Sequence, residues 1–347
     1  MPITVRRADI RVERDLLIDL QRRYLAPDAD TVRFDWLYGK NPFGEPHVLV
    51  AQDSETSDII GMAAAFPRSL CMGTQKRMGW VLGDFCLGEQ YRSLGPAIQL
   101  QKACLEGLGP KDSAIWYDFP SNSMLAIYKR LKAPPCQKMI RFVKLLKVDR
   151  KVQTWTRSRL LQHGLCTVGN AVLNLIPRRR RIPLDFSVQC HEGACGNEFH
   201  ELCSEIWSQS GSCLERTAPY LNWRYLQNPL YHSEILTIRK GGALKGYVVL
   251  AEMGSETTIM DLFSVTRQDV VQSLLQGVVD RARSLKSEAV VASLIEGHPW
   301  ISSLQALGFI PRETSPVIIN GLPSMSEQPS NSDRWASFLL MQGDRDS

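Results

Sequence analysis

Short apolar runs bounded by polar turns recur along the chain in a fixed order. Residues 48–51 and 59–66 form one pair, and residues 235–238 and 244–250 form another, separated by Lys240, Gly241, Gly242 and Ala243. Each pair predicts a β-hairpin. A strand pattern carrying an acid follows each hairpin, residues 80–87 with Asp84 and residues 259–265 with Asp261. Helical spacing comes next, at 97–108 and at 270–285. Each series then has a short apolar run, at 114–117 and 289–292, and a further helix.

A motif in front of each series shows that the order is a repeat. Trp36, Tyr38, Asn41 and Pro42 reappear at the same spacing as Trp223, Tyr225, Asn228 and Pro229. Self-similarity on this scale predicts two copies of one fold. Because Trp36, Tyr38 and Asn41 recur in both copies, they are expected to define the fold rather than contact a substrate.

Composition narrows the class without naming the chemistry. The chain has 347 residues, 44% hydrophobic and 22% charged, which suits a folded protein of two domains. A net charge of +5 over that length does not call for a nucleic-acid partner. No apolar run is long enough to span a bilayer, and the first residues lack a signal-peptide pattern, so a cytoplasmic protein is expected. The nine cysteines lack paired, regular spacing and are expected to be free thiols. Cys190, His191, Cys195, His200, Cys203 and Cys213 invite a zinc reading, but several fall at helical core spacing with Phe199, Leu202 and Ile206. No metal is expected. Residues 150–183 combine helical apolar spacing with Arg157, Arg159 and Arg178–Arg181. They read either as a connecting helix or as an amphipathic segment in peripheral contact with an anionic membrane. Hydrolase elbows, zinc-protease motifs, P-loops and dinucleotide fingerprints are absent from the sequence.

Chemistry concentrates between Asp84 and Tyr128. After the strand come Tyr91, Arg92, Ser93, Leu94, Gly95, Pro96 and Ala97, and then a helix. A strand, a turn and a helix opening at glycine and proline make an anion site, because free backbone N–H groups and the helix dipole favour negative charge there. The R-x-x-G-x-A pattern at 92–97, the preceding Asp84, Phe85, Cys86 and Leu87, and the later Asn122, Ala126, Tyr128 and Leu131 resemble motif A and the next segment of the GNAT superfamily of acyl-CoA-dependent N-acyltransferases. Lys132 and Ala133 stand where that family has Gly-Phe, whereas Gly308 and Phe309 of the second copy keep it.

The resemblance covers both copies and implies an α/β fold of the α+β type, with two tandem GNAT-like domains, each a mixed twisted sheet flanked by helices. The expected divisions are a donor domain at 1–148, a basic helical linker at 149–183 and a degenerate domain at 184–347. It implies that acetyl-CoA or another acyl-CoA binds at Phe85, Cys86, Leu87, Arg92, Ser93, Leu94, Gly95, Pro96, Ala97 and Asn122. The second copy has Thr266, Arg267, Gln268 and Asp269 in place of the phosphate loop, Leu304 for Tyr128 and His298 for Asn122, so the donor site is expected in the first copy alone.

The expected reaction is N-acylation, with acetyl the expected group, of a primary amine on a small molecule such as an amino sugar or amino-acid-like metabolite. Tyr128 is the candidate acid toward the departing thiolate, and Asp84 the candidate base or, equally, a structural carboxylate. Asn122 is placed with them, and Asp118 and His47 are reserve bases. Tyr128 has core packing as its plain alternative. A Fem-type aminoacyl or peptidyl transferase and a non-catalytic acyl-CoA-binding scaffold or sensor are the competing readings. An acyl-carrier protein docking at Arg178–Arg181 is a further possible partner.

Overall fold

The computed structural model describes residues 2–109, 114–147, 185–210, 212–321 and 339–345. The expected linker at 149–183, with its arginine run and membrane-contact segment, lies outside the described residues. The first repeat runs β1 (Ile3–Arg7), α1 (Arg14–Tyr24), α2 (Thr31–Phe34), β2 (His47–Asp53), β3 (Ile59–Met72), β4 (Gln75–Leu87), α3 (Leu94–Glu106), β5 (Ile115–Asp118), α4 (Asn122–Arg130) and β6 (Gln137–Leu145). The second runs β7 (Phe186–Cys190), α5 (Asn197–Ser210), β8 (Ser212–Leu214), α6 (Ala218–Leu221), β9 (Ser233–Lys240), β10 (Ala243–Met253), β11 (Glu256–Ser264), α7 (Gln268–Ser284), β12 (Ala289–Ile295), α8 (Ile301–Ala306) and β13 (Ile310–Asn320).

The repeated motif builds the same local structure twice. Asp35–Gly39 and Asn222–Leu226 are both single π-helical turns, continuing α2 and α6. Asn41 and Asn228 close them alike, each side-chain oxygen accepting from the backbone N–H two residues on, at 3.0 and 2.8 Å. Trp36, Tyr38, Trp223 and Tyr225 are buried. These residues do define the fold.

The chain forms two compact units, Met1–Lys138 with Ser315–Arg334 and Asp344–Ser347, and Met139–Thr314 with Trp335–Gly343. Both sheets have one pattern. In the first unit β1, β2, β3 and β4 pair antiparallel in that order, β4 pairs β5 in parallel, and β5 pairs β13 antiparallel. In the second, β7, β9, β10 and β11 pair antiparallel, β11 pairs β12 in parallel, and β12 pairs β6 antiparallel. The last strand of each repeat therefore completes the sheet built by the other. The divisions expected at 148 and 184 do not follow these units: apolar periodicity marks a strand but is silent about its partner.

The β3–β4 hairpin also runs further than the pattern predicts, turning at Gly73 with φ +57°. Pro67 and the buried Arg68 interrupt the apolar run in β3 and hide its continuation. Helix α3 lays Ala97, Leu100 and Cys104 against a core that includes Ala63 and Ala65 of β3, Leu82 of β4 and Trp116 of β5. Alanines on the strand let the helix approach closely, and each large apolar side chain so buried contributes about 1.5–3 kcal/mol.

Strand β5 meets β13 at Trp116–Asn320, Tyr117–Ile319 and Asp118–Ile318. A fragment of residues 1–148 lacks that partner and should show no cooperative thermal transition by circular dichroism, while the full chain melts cooperatively. A fragment that melts as sharply as the full chain would show β13 to be dispensable.

Candidate functional site

Strand β4 carries one residue more than its neighbour. Met62 pairs Cys86 and Ala64 pairs Gly83, so Asp84 and Phe85 together face Ala63. Such a bulge bends and twists the strand. Asp84 sits in it with φ +47°, a left-handed conformation that is costly for a residue with a side chain. Parallel pairing with β5 covers only Gly79–Ile115, Trp80–Trp116 and Val81–Tyr117. Beyond Val81 the strands part, and a cleft of ≈ 470 Å³ opens, lined by Phe85, Cys86 and Leu87 on one side and by Ser121, Ser123, Met124 and Ile127 on the other.

The cleft continues to the start of α3, where Arg92, Ser93, Leu94 and Ala97 line it, with Tyr24. First-turn amides have no carbonyl one turn back to bond, so Leu94 and Gly95 present N–H groups outward, while Pro96 has none. Ser93 is the N-cap, but its side chain makes no capping bond. A Cβ built on Gly95 meets nothing within 4 Å. The Arg92 side chain folds back so that Nε donates to the Leu87 carbonyl at 3.0 Å. An anion with an apolar arm fits this arrangement: phosphates at the amides, arm along Phe85–Leu87. The structure thus gathers Phe85, Cys86, Leu87, Arg92, Ser93, Leu94 and Ala97 on one cleft.

Asp84 faces inward instead. Arg33 binds both of its oxygens, at 3.0 and 2.8 Å, and the Tyr38 hydroxyl and Gln21 amide donate to Oδ2 at 2.7 and 3.0 Å. Its side chain is 4% exposed. Burial, then the Asp84 charge, push the Tyr38 phenol well above its ordinary range. A carboxylate held by these donors anchors the bulge and has little left to offer an incoming amine. Asp261 repeats the device: Arg216 Nε donates to its two oxygens at 3.1 and 2.9 Å and Tyr247 at 3.0 Å, beside an extra residue, Met260, in β11.

Tyr128 is fully buried. Its hydroxyl donates to Asp118 Oδ2 at 2.5 Å and accepts from the Gln101 amide at 3.0 Å. Burial lifts Asp118 to about 6, and the bond from Tyr128 only partly offsets it. Asp118 is the first β5 residue past the last pair with β4, at the apex of the splay. Phe85 and Met124, which line the cleft, pack on the core cluster that contains Tyr128.

Asn122 is exposed at the first position of α4, outside the cleft lining; Ser121 caps the helix instead, accepting from Met124 N–H at 3.3 Å. Lys132 takes φ +58° where Gly308 takes +82°, which matches Tyr128 to Leu304. His47 packs under the far end of α3, where a Cβ on Gly107 would lie 2.3 Å from Nε2, and burial lowers its pKa. It does not line the cleft. Burial pushes the Cys86 thiol up to about 12, so it is a wall rather than a nucleophile. Among the described residues, no group of three or more His, Cys, Asp or Glu is placed to hold a metal ion, and no helix is long and apolar enough to cross a membrane.

In the second unit the equivalent places are filled. Asp269 sits in the first turn of α7 and accepts from the Val270 N–H at 3.0 Å, so the chain supplies its own anion. The gap between β11 and β12 receives Met341: it bridges Leu294, and its sulfur accepts from the Leu262 N–H at 3.1 Å. Leu262 follows Asp261 as Phe85 follows Asp84. Residues 339–343 are held there by Arg216, donating to Leu339 O at 3.5 Å, and by Arg224, donating to Gly343 O at 2.8 Å.

No family model and no curated protein matches the sequence. Solved structures do match the fold. A GCN5-related N-acetyltransferase from Anabaena variabilis is 14% identical, covers 92% of this chain and 72% of its own, and has a TM-score of 0.64. A conserved protein of unknown function from Enterococcus faecalis is 13% identical over the same shares, with a TM-score of 0.66. Saccharomyces cerevisiae N-myristoyltransferase with bound myristoyl-CoA is 10% identical over 98% of this chain and 90% of its own, with a TM-score of 0.59. The chain has the GNAT fold, with mixed sheets flanked by helices.

If Asp84 anchors the bulge, Asp84→Asn leaves Arg33 without its anionic partner and costs about 3–5 kcal/mol in urea denaturation. A loss under about 1 kcal/mol would remove the anchoring role.

Proposed function

We propose that this protein is an acyl-CoA-dependent N-acyltransferase that uses the cleft of its first unit as donor site, with acetyl-CoA as donor and a small-molecule primary amine as acceptor. The observation that carries the reading is the conjunction of a bulged, splayed β4 with an open, glycine-bearing helix start on one cleft. Separately, each feature is a common structural device. Together they hold the two ends of one ligand: a pyrophosphate at Leu94 and Gly95, and a thioester beside Phe85. The fold shared with N-acetyltransferases and with an N-myristoyltransferase that binds myristoyl-CoA supports the same donor class. A cleft of ≈ 470 Å³ lies within the range of about 300–1,000 Å³ for small-molecule sites.

The chemistry asked of the protein is modest. Splayed strands leave β4 backbone amides free of a β5 partner, so one of them stabilises the oxyanion that forms when the amine attacks. Holding donor and acceptor together supplies much of the rate. With the Cys86 thiol kept protonated, the acyl group passes directly to the amine without an acyl-enzyme. Arg92 and the α3 amides bind the phosphates and take no part in the bond changes.

Titration calorimetry should show acetyl-CoA binding at one site per chain. Gly95→Val should weaken it at least about tenfold while leaving the melting temperature in place, because its side chain enters open space. Arg92→Ala should weaken it in the same direction. Binding that is unchanged in both variants would move the donor site elsewhere, and myristoyl-CoA binding more tightly than acetyl-CoA would overturn the short-acyl assignment.

A further inference from the structure

Helix α1 ends at the donor cleft. Its last residue, Tyr24, lines the cleft with Arg92, Ser93 and Leu94. Nothing in the sequence marks this tyrosine, because it lies far ahead of the segment that carries the R-x-x-G-x-A pattern. The half-buried phenol lies against Gly88, which follows β4. A Cβ built on that glycine is 3.4 Å from both Cζ and Oη of Tyr24. The hydroxyl end of the ring is therefore held where the chain turns from β4 toward α3. Among the described residues this hydroxyl makes no hydrogen bond. Ser93, one residue after Arg92, makes no capping bond either. Two hydroxyls from separate elements thus line one cleft without a protein partner, and a phenol in such a place seeks a polar group.

Arg92 fixes the end of α1 in this position. Its Nε donates to the Leu87 carbonyl at 3.0 Å and its Nη2 to the Tyr24 carbonyl at 3.5 Å, so one guanidinium ties the end of α1 to the end of β4. Both acceptors are neutral, and among the described residues no carboxylate pairs with Arg92. Its charge stays uncompensated beside the open amides of α3, and its remaining N–H groups can meet an anion. The second unit is built differently. Arg267, the N-cap of α7, binds Asp269 through Nε and Nη2 at 3.1 and 2.6 Å, and Asp269 accepts from a first-turn amide. Helix α5, the counterpart of α1, contains no tyrosine. Where the chain supplies its own anion, the arginine is neutralised and the phenol is missing.

We propose that Tyr24 is a phosphate-binding residue of the donor site, its hydroxyl donating to a phosphate oxygen of acyl-CoA, and that Arg92 positions it by holding the end of α1 on the cleft. The proposal rests on the acyltransferase reading above and extends the donor site to a helix outside the β4–α3 segment. A hydroxyl that donates to an anion makes a stronger bond than one that donates to a neutral group. Removing it therefore weakens a donor that carries phosphates and spares the same thioester without them, acetyl-pantetheine. Arg92 acts on the phosphates in two ways, by its own charge and through Tyr24.

Titration calorimetry on the full chain tests this with acetyl-CoA and, by displacement of acetyl-CoA at high concentration, with acetyl-pantetheine. Tyr24→Phe keeps the ring on Gly88 and the melting temperature. It should weaken acetyl-CoA about tenfold and leave acetyl-pantetheine within about twofold of the parent, a difference that a purely structural role does not produce. Arg92→Ala should also weaken acetyl-CoA. Adding Tyr24→Phe to Arg92→Ala should then cost less than about threefold, because the phenol is no longer held in place and the two changes are coupled. Acetyl-CoA affinity within about twofold of the parent in Tyr24→Phe, or an equal loss for both thioesters, overturns the phosphate contact. A further loss of about tenfold in the double variant overturns the positioning by Arg92. A parent chain that fails to bind acetyl-CoA, or binds it no more tightly than acetyl-pantetheine, overturns the donor-site reading and the role of Tyr24 with it.

Discussion

Because β4 places Asp84 and Phe85 opposite a single residue of β3, its far end turns away from β5, and the cleft exists only through that turn. The bulge is not self-sustaining. A left-handed aspartate costs of order 1–3 kcal/mol, and the conformation persists because the surroundings over-determine it. Arg33 binds both carboxylate oxygens, while Tyr38 and Gln21 add further donors to one. Tyr38 reaches Asp84 from the π-helical turn, so in the first repeat the Trp-Tyr-Asn-Pro motif and the acid belong to one mechanical device, whereas Asp261 takes its tyrosine, Tyr247, from β10. That device sets the width of the splay.

The two units show how little must change for such a frame to gain or lose a donor cleft. Both have the bulge, the buried aspartate paired with arginine and the parallel strand that parts from its neighbour. In the first unit a glycine at the helix start leaves open space; in the second, Asp269 satisfies the helix's own amide and Met341 fills the gap. The thioether sulfur accepts a bond from the amide that matches Phe85. The filled gap stabilises the second unit by burying Leu339, Leu340 and Met341.

Much of this frame was legible in the sequence, and what was not has definite reasons. Hairpins, acid-bearing strands and helices follow from apolar period, and the open helix start from one glycine and one arginine. Seven of the expected donor contacts, Phe85, Cys86, Leu87, Arg92, Ser93, Leu94 and Ala97, line one cleft. Gly95 stands at the helix start, where an added Cβ meets nothing within 4 Å, beside Pro96. The arginines that neutralise Asp84 and Asp261 could not be found by matching repeats, because Arg33 precedes Tyr38 closely while Arg216 lies further ahead of Tyr225. Asn122 was expected at the site from its resemblance to the family's polar anchor; the structure leaves it exposed at the start of α4, with Ser121 as the cap. The exchange of β6 and β13 left no trace in either strand's pattern.

That exchange makes the first repeat depend on the second. Strand β5 carries Trp116, Tyr117 and Asp118, and its antiparallel partner is β13, the last strand of the second repeat. Trp116 in turn stacks on Tyr128 with ring centroids 5.9 Å apart. The strand presenting Asp118 to Tyr128 is thus held on one edge by β4 of its own repeat and on the other by a strand that the first repeat does not encode. A first repeat cut free of the second loses the edge that fixes the apex of its cleft. The fold of the second repeat is thereby tied to that of the first, because β5 is built against its final strand.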